Sequence, residues 1–514
     1  VETLNQMLQR NLALVPERPF LIDGDRRITY AEFGALTARM AGALQKAGVQ
    51  PGARVALYLP STPMMAAAFW ACQRLGAIPA PLSAMFRAAE VSDILTRGGI
   101  RALICDQSSA ATAMQIAARL PDLLTFCLGG AVKGALDFDA LIAAAPETFT
   151  DHRQDFNDTS ALFFSSGTTG KPKAIDQTHF ATASSLRDMS VAHGARFGAE
   201  TYLCAVPLFT NFGLTVTLNL CLYTGGTLVL HERWDTERVL SDIAHHRATY
   251  FGGTPTMYVY MVGAFDADRH DLSSLRVCTT GGAPVPQPII QKFEALSGAR
   301  VSQVYGATET CGQCVIEPIS GPRRAGAAGL PVGSSRITIV DEAGQPVPRG
   351  EVGEVVIGGD CVNRGYADNP EATAESFGPD GWLSGDLGFL DEEGFLFIVD
   401  RKKDVIITGG HNIYPLEVES VLYRQKGVSI CAVVPAPDEV KGEIPVAIVV
   451  QDTDAELSAD LLEAHCRAQL AAYKVPRRFE FIDTMPIEAA KIRKRDLVEA
   501  LRAGPAALNA FRNN

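Results

Sequence analysis

Ser165-Ser166-Gly167-Thr168-Thr169-Gly170-Lys171-Pro172-Lys173 follows directly on the apolar run Ala161-Leu162-Phe163-Phe164. The nine residues hold two glycines, four hydroxyls and two lysines. Glycines let a backbone turn tightly and approach a ligand. Free amides, hydroxyls and ammonium groups then supply the donors and positive charge that a polyphosphate needs. A Walker A loop places four residues between its first glycine and the Gly-Lys pair, followed by Ser or Thr. Here two residues separate Gly167 from Gly170, and Pro172 follows Lys171. The spacing describes a phosphate loop of another kind. A polar linker between strands, the common fate of Gly/Ser/Thr clusters, accounts poorly for lysines interleaved with glycines.

Outward from this loop the chain alternates strand and helix patterns. A helical pattern over 31–47 closes at Gly48 and the turn Gln50-Pro51-Gly52. Arg54 to Leu59 reads as a buried strand, Pro63 to Leu75 as a helix, Ala77 to Leu82 as a strand, 89–97 as a helix and Ala102 to Cys105 as a strand. A second series follows the loop: a helix from about 178, a strand Thr201 to Val206, a helix near 213–222 and a strand Thr227 to Leu230. Such alternation implies βαβ units and parallel sheets. From 331 to 400 short strands with Gly, Pro and Asp turns suggest a small barrel-like β unit. Beyond Asp400 come a helix opened by Pro415, strands at 430–435 and 445–451, a helix at 457–472 and a basic helix from about 493. The expected class is α/β: two βαβ-type parallel-sheet subdomains and the small β unit in a large domain, 1–400, then a small α+β domain, 401–514.

Composition sets bounds. A chain of 514 residues exceeds one core. Its 47% hydrophobic and 20% charged residues fit a globular enzyme. The apolar stretch from Met64 to Cys72 is stopped by Arg74 and Gly76, short of the roughly 20 residues that span a bilayer. Val1-Glu2-Thr3-Leu4 lacks a basic region leading into a long apolar one, so no secretory signal is expected. Eleven cysteines without a framework pattern fit a reducing cytoplasm. The net charge of −12 argues against nucleic acid. All of that excess precedes Arg401: 30 Lys+Arg face 42 Asp+Glu there, against 16 and 16 from Arg401 onward. The terminal part is thus relatively basic, and most of its charges read as solvated helix faces. A homodimer is compatible with this reading.

Further motifs stand in order along the chain: Thr279-Thr280-Gly281-Gly282-Ala283-Pro284, Tyr305-Gly306-Ala307-Thr308-Glu309-Thr310, Trp382-Leu383-Ser384-Gly385-Asp386-Leu387-Gly388, Asp400-Arg401-Lys402-Lys403-Asp404, Ile407-Thr408-Gly409-Gly410-His411-Asn412-Ile413-Tyr414-Pro415, and Pro486-Ile487-Glu488-Ala489-Ala490-Lys491-Ile492-Arg493. Together with the loop they resemble the signatures of the adenylate-forming superfamily: AMP-forming acyl-CoA synthetases, luciferases and peptide-synthetase adenylation domains. The likeness runs from about Leu12 to Leu501.

The resemblance implies roles. Ser165, Ser166, Gly167, Thr168, Thr169, Gly170 and Lys173 would cradle phosphates. Gly281, Gly282 and Ala283 would leave room for the base or acyl group. Tyr305 and Gly306 would lie against adenine, Thr308 would bond a phosphate and Glu309 would help hold Mg²⁺, which prefers oxygen ligands shared with phosphates. Asp386 would receive the ribose hydroxyls and Arg401 would contact ribose and phosphate. Lys403 falls at the hinge about which the small domain swings. Lys491 would be the adenylation lysine, stabilising charge that develops as carboxylate attacks phosphorus. Gly409, Gly410 and His411 match the acyl-CoA synthetase form, with Gly410 lining the pantetheine tunnel. The chain departs from the pattern at Ala490, where the family has Gly, and in a stretch before Lys491 that is one residue short.

The implied reaction joins a carboxylic acid to coenzyme A through an acyl-adenylate, with ATP and Mg²⁺. The alternatives are loading of a carrier protein and a catalytically impaired nucleotide-binding relative. The acyl pocket would be bordered by Thr210, Asn211, Phe212, Phe251, Gly252 and Thr254. Thr210 replaces a frequent histidine. No Asp stands there to pair a substrate ammonium, which argues against an amino acid and for a fatty, alicyclic or aromatic acid. Cys311-Gly312-Gln313-Cys314, a lone CxxC, reads as packing beside Glu309.

Overall fold

Helix boundaries follow local chemistry. Thr29 caps Tyr30–Lys46, its hydroxyl accepting from Glu32 N while the Glu32 side chain accepts from Thr29 N. Pro63 opens Pro63–Leu75 and Gly76, at φ +74°, closes it. This helix is buried along nearly its whole length, which is why its apolar run is almost unbroken. Its one charge, Arg74, meets Asp151 at 2.7 Å and donates to Gly34 O at 2.7 Å. The structure, a computed structural model, describes residues 2–165, 173–282, 287–452, 456–488 and 491–511.

Two largely parallel sheets carry the large domain. One has the spatial order Ile78–Pro81, Arg54–Tyr58, Ala102–Asp106, Leu124–Leu128 and Leu136–Asp137. The other runs Leu330–Pro331, Gly312–Ile316, Val301–Ala307, Val277–Gly281, Tyr250–Gly253, Thr201–Cys204, Thr227–Leu230, Pro19–Asp23 and Arg26–Thr29. Its central strands are parallel and its outermost ones antiparallel. The hairpin Thr159–Ser165 with Lys173–Thr178 flanks the loop that the sequence singled out. Residues 166–172 of that loop lie outside the described residues, as do Ala283 and Ala490.

An antiparallel sheet follows: Arg336–Val340, Gly353–Gly358 and Gly381–Leu390, with Leu396–Arg401 paired to the last. Past Lys402–Asp404 a new sheet begins, His411–Ile413, Ile406–Thr408, Gly442–Gln451 and Val428–Asp438, with Arg478–Phe481 parallel to Gly442–Gln451. The fold is thus α/β with a separate C-terminal sheet and its own apolar cluster around Ile413, Val418, Val433 and Val449.

Three details differ from the sequence reading. The helix expected near 213–222 is a π-helix, Phe212–Asn219, continued by Leu220–Tyr223. A Cβ at Gly213 would stand 2.2 Å from Pro207 O, so this residue must be glycine for the chain to turn there. The helix expected to reach 472 ends at Arg467. The strands expected at 430–435 and 445–451 extend over Val428–Asp438 and Gly442–Gln451. Proline reads as a strand breaker, yet the ladder runs on through Pro435, which stands opposite Pro445, and Pro437, which stands opposite Glu443.

Candidate active site

The strand pairing of Gly381–Leu390 with Leu396–Arg401 sets Asp386 opposite Arg401. Arg401 Nε meets Asp386 Oδ1 at 2.7 Å, and the Tyr305 hydroxyl donates to Oδ2 at 2.7 Å. Asp386 is buried, and its backbone N–H donates to Ser384 Oγ at 3.0 Å. Burial, and then the Asp386 carboxylate, pushes the Tyr305 hydroxyl well above the ordinary phenol range. Both carboxylate oxygens therefore point into one polar corner where the large sheet meets the small antiparallel one.

A second corner forms around the turn Thr308–Thr310. Glu309 is buried and its Oε1 accepts from the Tyr366 hydroxyl at 3.1 Å. Lys173 Nζ lies 4.6 Å from the centre of the Tyr366 ring, a cation–π contact. Burial, and then Glu309, raises the Tyr366 hydroxyl to about 12. Asn363 clamps the turn: its backbone N donates to Glu309 O at 2.9 Å, its Nδ2 to Thr308 O at 2.8 Å, and its Oδ1 accepts from Cys311 Sγ at 2.9 Å. Gln177 Nε2 donates to Thr308 O at 3.0 Å and to Asn211 Oδ1 at 2.9 Å, tying this turn to the loop before the π-helix. Sequence reasoning passed over Gln177, Asn363 and Tyr366. The segment Asn363-Arg364-Gly365-Tyr366 ahead of the helix start Asn369-Pro370 carried a turn signal but no periodicity.

The residues expected to border the acyl group divide. Where a Gly252 Cβ would stand, Thr279 Oγ1 is 3.1 Å away, Phe212 Cε2 3.2 Å and Tyr250 Cε1 3.3 Å, so Phe212 and Gly252 share a face of the sheet. Phe251, the next residue along, faces the opposite way. It is fully buried and packs edge-on to Tyr258 at 5.4 Å, which makes it core and corrects its place in the acyl wall. Thr210 Oγ1 donates to Pro207 O and accepts from Gly213 N, fixing the turn. The Asn211 carbonyl oxygen is taken by Gln177. Thr254 stands, without a side-chain cap bond, at the head of Pro255–Ala264.

A Cβ at Gly281 would come within 2.6 Å of Val304 Cγ2, so its missing side chain makes room for the neighbouring strand. Gly282, at φ +84°, is exposed, as is Gly306. Gly409 and Gly410, at φ +54° and +82°, make the two-residue turn between Ile406–Thr408 and His411–Ile413. No protein atom lies within 4 Å of a Cβ on Gly410, and its positive backbone angle favours glycine there. The His411 ring packs at 4.9 Å from Tyr473. Cys311 and Cys314 are free and buried, consistent with packing.

The terminal sheet is tied to the large domain beside Arg401. Asp400 Oδ1 accepts from Arg401 N at 2.7 Å and Oδ2 from Leu416 N at 2.8 Å. Burial raises the Asp400 carboxyl to about 6 despite those donors. Lys494 Nζ meets Glu419 Oε1 at 2.8 Å, and Glu419 Oε1 also accepts from Val433 N at 2.7 Å. Lys494 opens the helix Lys494–Ala503, three residues after Lys491. Lys491 pairs with Glu488 in the hairpin Ile487–Glu488/Lys491–Ile492, while its side chain lies outside the described residues. Lys403 is exposed in the short turn Lys402–Asp404. Ser165 ends its strand opposite Lys173.

Among the described residues no helix is long and apolar enough to cross a membrane, and no three His, Cys, Asp or Glu side chains converge as a metal site. A divalent cation here would rest on Glu309 together with substrate phosphates, the usual arrangement for Mg²⁺.

The site thus combines a buried carboxylate fixed by Tyr305 and Arg401 with an acidic turn whose tyrosine partner lies against Lys173. The sequence profile of the AMP-binding enzyme family covers residues 8–367, and that of the AMP-binding enzyme C-terminal domain covers 417–491. The chain is 36% identical over 483 residues to a feruloyl-CoA synthase of an Amycolatopsis species, covering 93% of this chain and 94% of that one. It resembles ATP-bound MatB from Rhodopseudomonas palustris with a TM-score of 0.89 at 29% identity, over 97% of this chain and 99% of that. It also resembles o-succinylbenzoate coenzyme A synthetase from Bacillus subtilis in complex with ATP and magnesium ion, with a TM-score of 0.85 at 32% identity, over 96% and 98%. The chain belongs to the AMP-binding enzyme family, as an acid–CoA ligase of the AMP-forming type. ATP with Mg²⁺, and coenzyme A, are the co-substrates of that class.

Proposed function

We propose that the enzyme activates a fatty, alicyclic or aromatic carboxylic acid and passes it to coenzyme A. A carboxylate oxygen attacks the α-phosphorus of ATP and pyrophosphate leaves. The CoA thiolate then attacks the acyl carbon and AMP leaves. The single observation that carries this reading is Asp386, buried and held between Tyr305 and Arg401 with one contact on each oxygen; on this reading that carboxylate receives the ribose hydroxyls.

Glu309, beside the phosphate-binding Thr308, takes the magnesium of the nucleotide. Lys491 brings an ammonium to the attacking carboxylate and the α-phosphate, and Gly409, Gly410 and His411 serve the thiol step. Two steps that call on different faces of residues 401–514 require that domain to turn about Lys403 between them. The acid enters between Phe212 and Gly252, which the shared face of those residues supports. Formation of hydroxamate from a panel of fatty, cyclic and aryl acids, with ATP and with or without CoA, tests the reading. Thioester on free CoA is the expected product, and absence of acid-dependent pyrophosphate release across the panel contradicts it.

A further inference from the structure

The strand Lys173–Thr178, which leaves the glycine-rich loop, sends two polar side chains from one face. Side chains alternate along a strand, so Lys173 and Gln177, four residues apart, share a side. Lys173 reaches Tyr366, whose hydroxyl donates to Glu309. Gln177 is 1% exposed, and its Nε2 donates to Thr308 O at 3.0 Å and to Asn211 Oδ1 at 2.9 Å. A backbone carbonyl can only accept, so the bond to Thr308 fixes which end of the Gln177 amide is nitrogen. Both hydrogens of that nitrogen are then committed, one to each side of the bridge.

Asn211 stands immediately before the π-helix Phe212–Asn219. Such helices are rare and concentrate at functional sites. The wide register of this one is pinned at its head. Thr217 Oγ1 donates to Phe212 O, five residues back, at 3.2 Å, and Thr210 Oγ1 accepts from Gly213 N at 3.0 Å. Gln177 adds the anchor on Asn211. The Thr308–Thr310 turn meets the same helix again at Gly312, where a Cβ would stand 2.8 Å from Val216 Cγ2. That contact is apolar and has no direction. The Gln177 amide is the link whose orientation matters at both ends.

Resting on the reading that Mg²⁺·ATP occupies the Thr308–Glu309 turn and the acid enters beside Phe212, we propose that Gln177 is a positioning residue that couples the two sites. Nucleotide on the turn fixes Thr308 O and, through it, one N–H of Gln177. The amide is planar, so fixing one N–H direction sets the other. Asn211 and the head of the π-helix that carries Phe212 are thereby held in place before the acid arrives. The coupling is reciprocal: acid tightens the nucleotide by the factor by which nucleotide tightens the acid.

Hydrogen exchange of the full chain with Mg²⁺ and α,β-methylene-ATP, whose bridging carbon blocks pyrophosphate release, reads the coupling without any acid. Exchange should slow in residues 305–310 and also in 211–219. In Gln177→Leu, similar in size but without donors, the slowing persists at 305–310, where Asn363 still donates to Thr308 O, and vanishes at 211–219. Asn211→Leu breaks the bridge from its other end and gives the same result, whereas Asn211→Asp keeps an acceptor for Gln177 and retains both responses. Calorimetric titration of the analogue supplies a second readout, with whichever of octanoate, 3-phenylpropanoate and 3-cyclohexylpropanoate releases pyrophosphate fastest. That acid should tighten the analogue at least about fivefold in wild type and less than about twofold in Gln177→Leu. A merely structural amide would leave that factor unchanged. An equal factor in both proteins, no slowing at 211–219 in wild type, or slowing there that survives both leucine variants overturns the proposal while leaving acid activation intact. No slowing at 305–310, or no pyrophosphate release with any of the three acids, overturns the parent reading and this one with it.

Discussion

Asp386 divides its carboxylate between Tyr305 and Arg401, each at 2.7 Å and each on a different oxygen. The two contacts are not equivalent. Arg401 is a fixed cation on the strand that leads into the terminal domain, whereas Tyr305 is a neutral donor at the rim of the large sheet. Asp386→Asn replaces one acceptor oxygen with a donor amide facing Arg401 or Tyr305. We expect KM for ATP to rise about 10- to 100-fold, a loss of about 1.4–2.7 kcal/mol. Tyr305→Phe, which leaves the Arg401 pair, should raise it less than tenfold. ATP titrations of pyrophosphate exchange measure both, and equal effects would contradict the assignment.

Asn363 holds the Thr308–Glu309 turn by three contacts, to Glu309 O, Thr308 O and Cys311 Sγ. Asn363→Ala should raise the Mg²⁺ concentration for half-maximal activity at least fivefold, because Glu309 loses its fixed position. KM for the acid should change less than twofold. A variant that moves both constants together would place Asn363 in the acyl pocket instead.

The Tyr-Gly-Ala-Thr-Glu turn and the Gly-Asp pair were legible in the sequence because their chemistry is concentrated within a few residues. Helices closed by Gly48 and Gly76, and strands set between turn residues, were legible for the same reason. The clamp was not. Gln177, Asn363 and Tyr366 act on Thr308 and Glu309 from sequence separations of 54 to 131 residues. No local pattern records such contacts. Phe251 was misplaced because an apolar run hides which way each residue faces, and only the register against Thr279 shows that Gly252 looks toward Phe212 while Phe251 looks away.

Lys494 and Glu419 join the helix after the Lys491 hairpin to the helix Pro415–Leu422. Glu419 is buried and the Lys494 side chain is 20% exposed. Removing one partner of a buried pair strands the other charge. Lys494→Met should therefore cost about 2–3 kcal/mol, below the range for fully buried pairs, and Lys494→Met with Glu419→Leu should recover most of it. Thermal unfolding of the three proteins, read in the C-terminal domain by limited proteolysis, checks this. A double variant no better than the single would show that the pair itself does not hold the hairpin.

His179, at the start of its helix, is fully buried, and its Nδ1 accepts from Leu4 N at 3.3 Å. Burial lowers it to about 4, opposed in part by Asp158. The unfolded ring titrates near 6.5, so between those values the unfolded state binds the extra proton. The stabilisation is present above pH 6.5 and is lost as pH falls toward 4, reaching about 2 kcal/mol at pH 5. Denaturant unfolding of wild type and His179→Gln at pH 7.5 and 5.0 should show the variant losing about 2 kcal/mol less. Equal losses would mean the ring is not held neutral.

On the proposed mechanism adenylation depends on one ammonium of the terminal domain, that of Lys491, and Lys491→Ala removes it. The direct measurement pairs ATP–pyrophosphate exchange with thioester formation from a preformed acyl-adenylate and CoA. Exchange should fall at least a thousandfold, while thioester formation stays within tenfold of wild type. Exchange that survives the substitution would contradict the division of labour between the two domains.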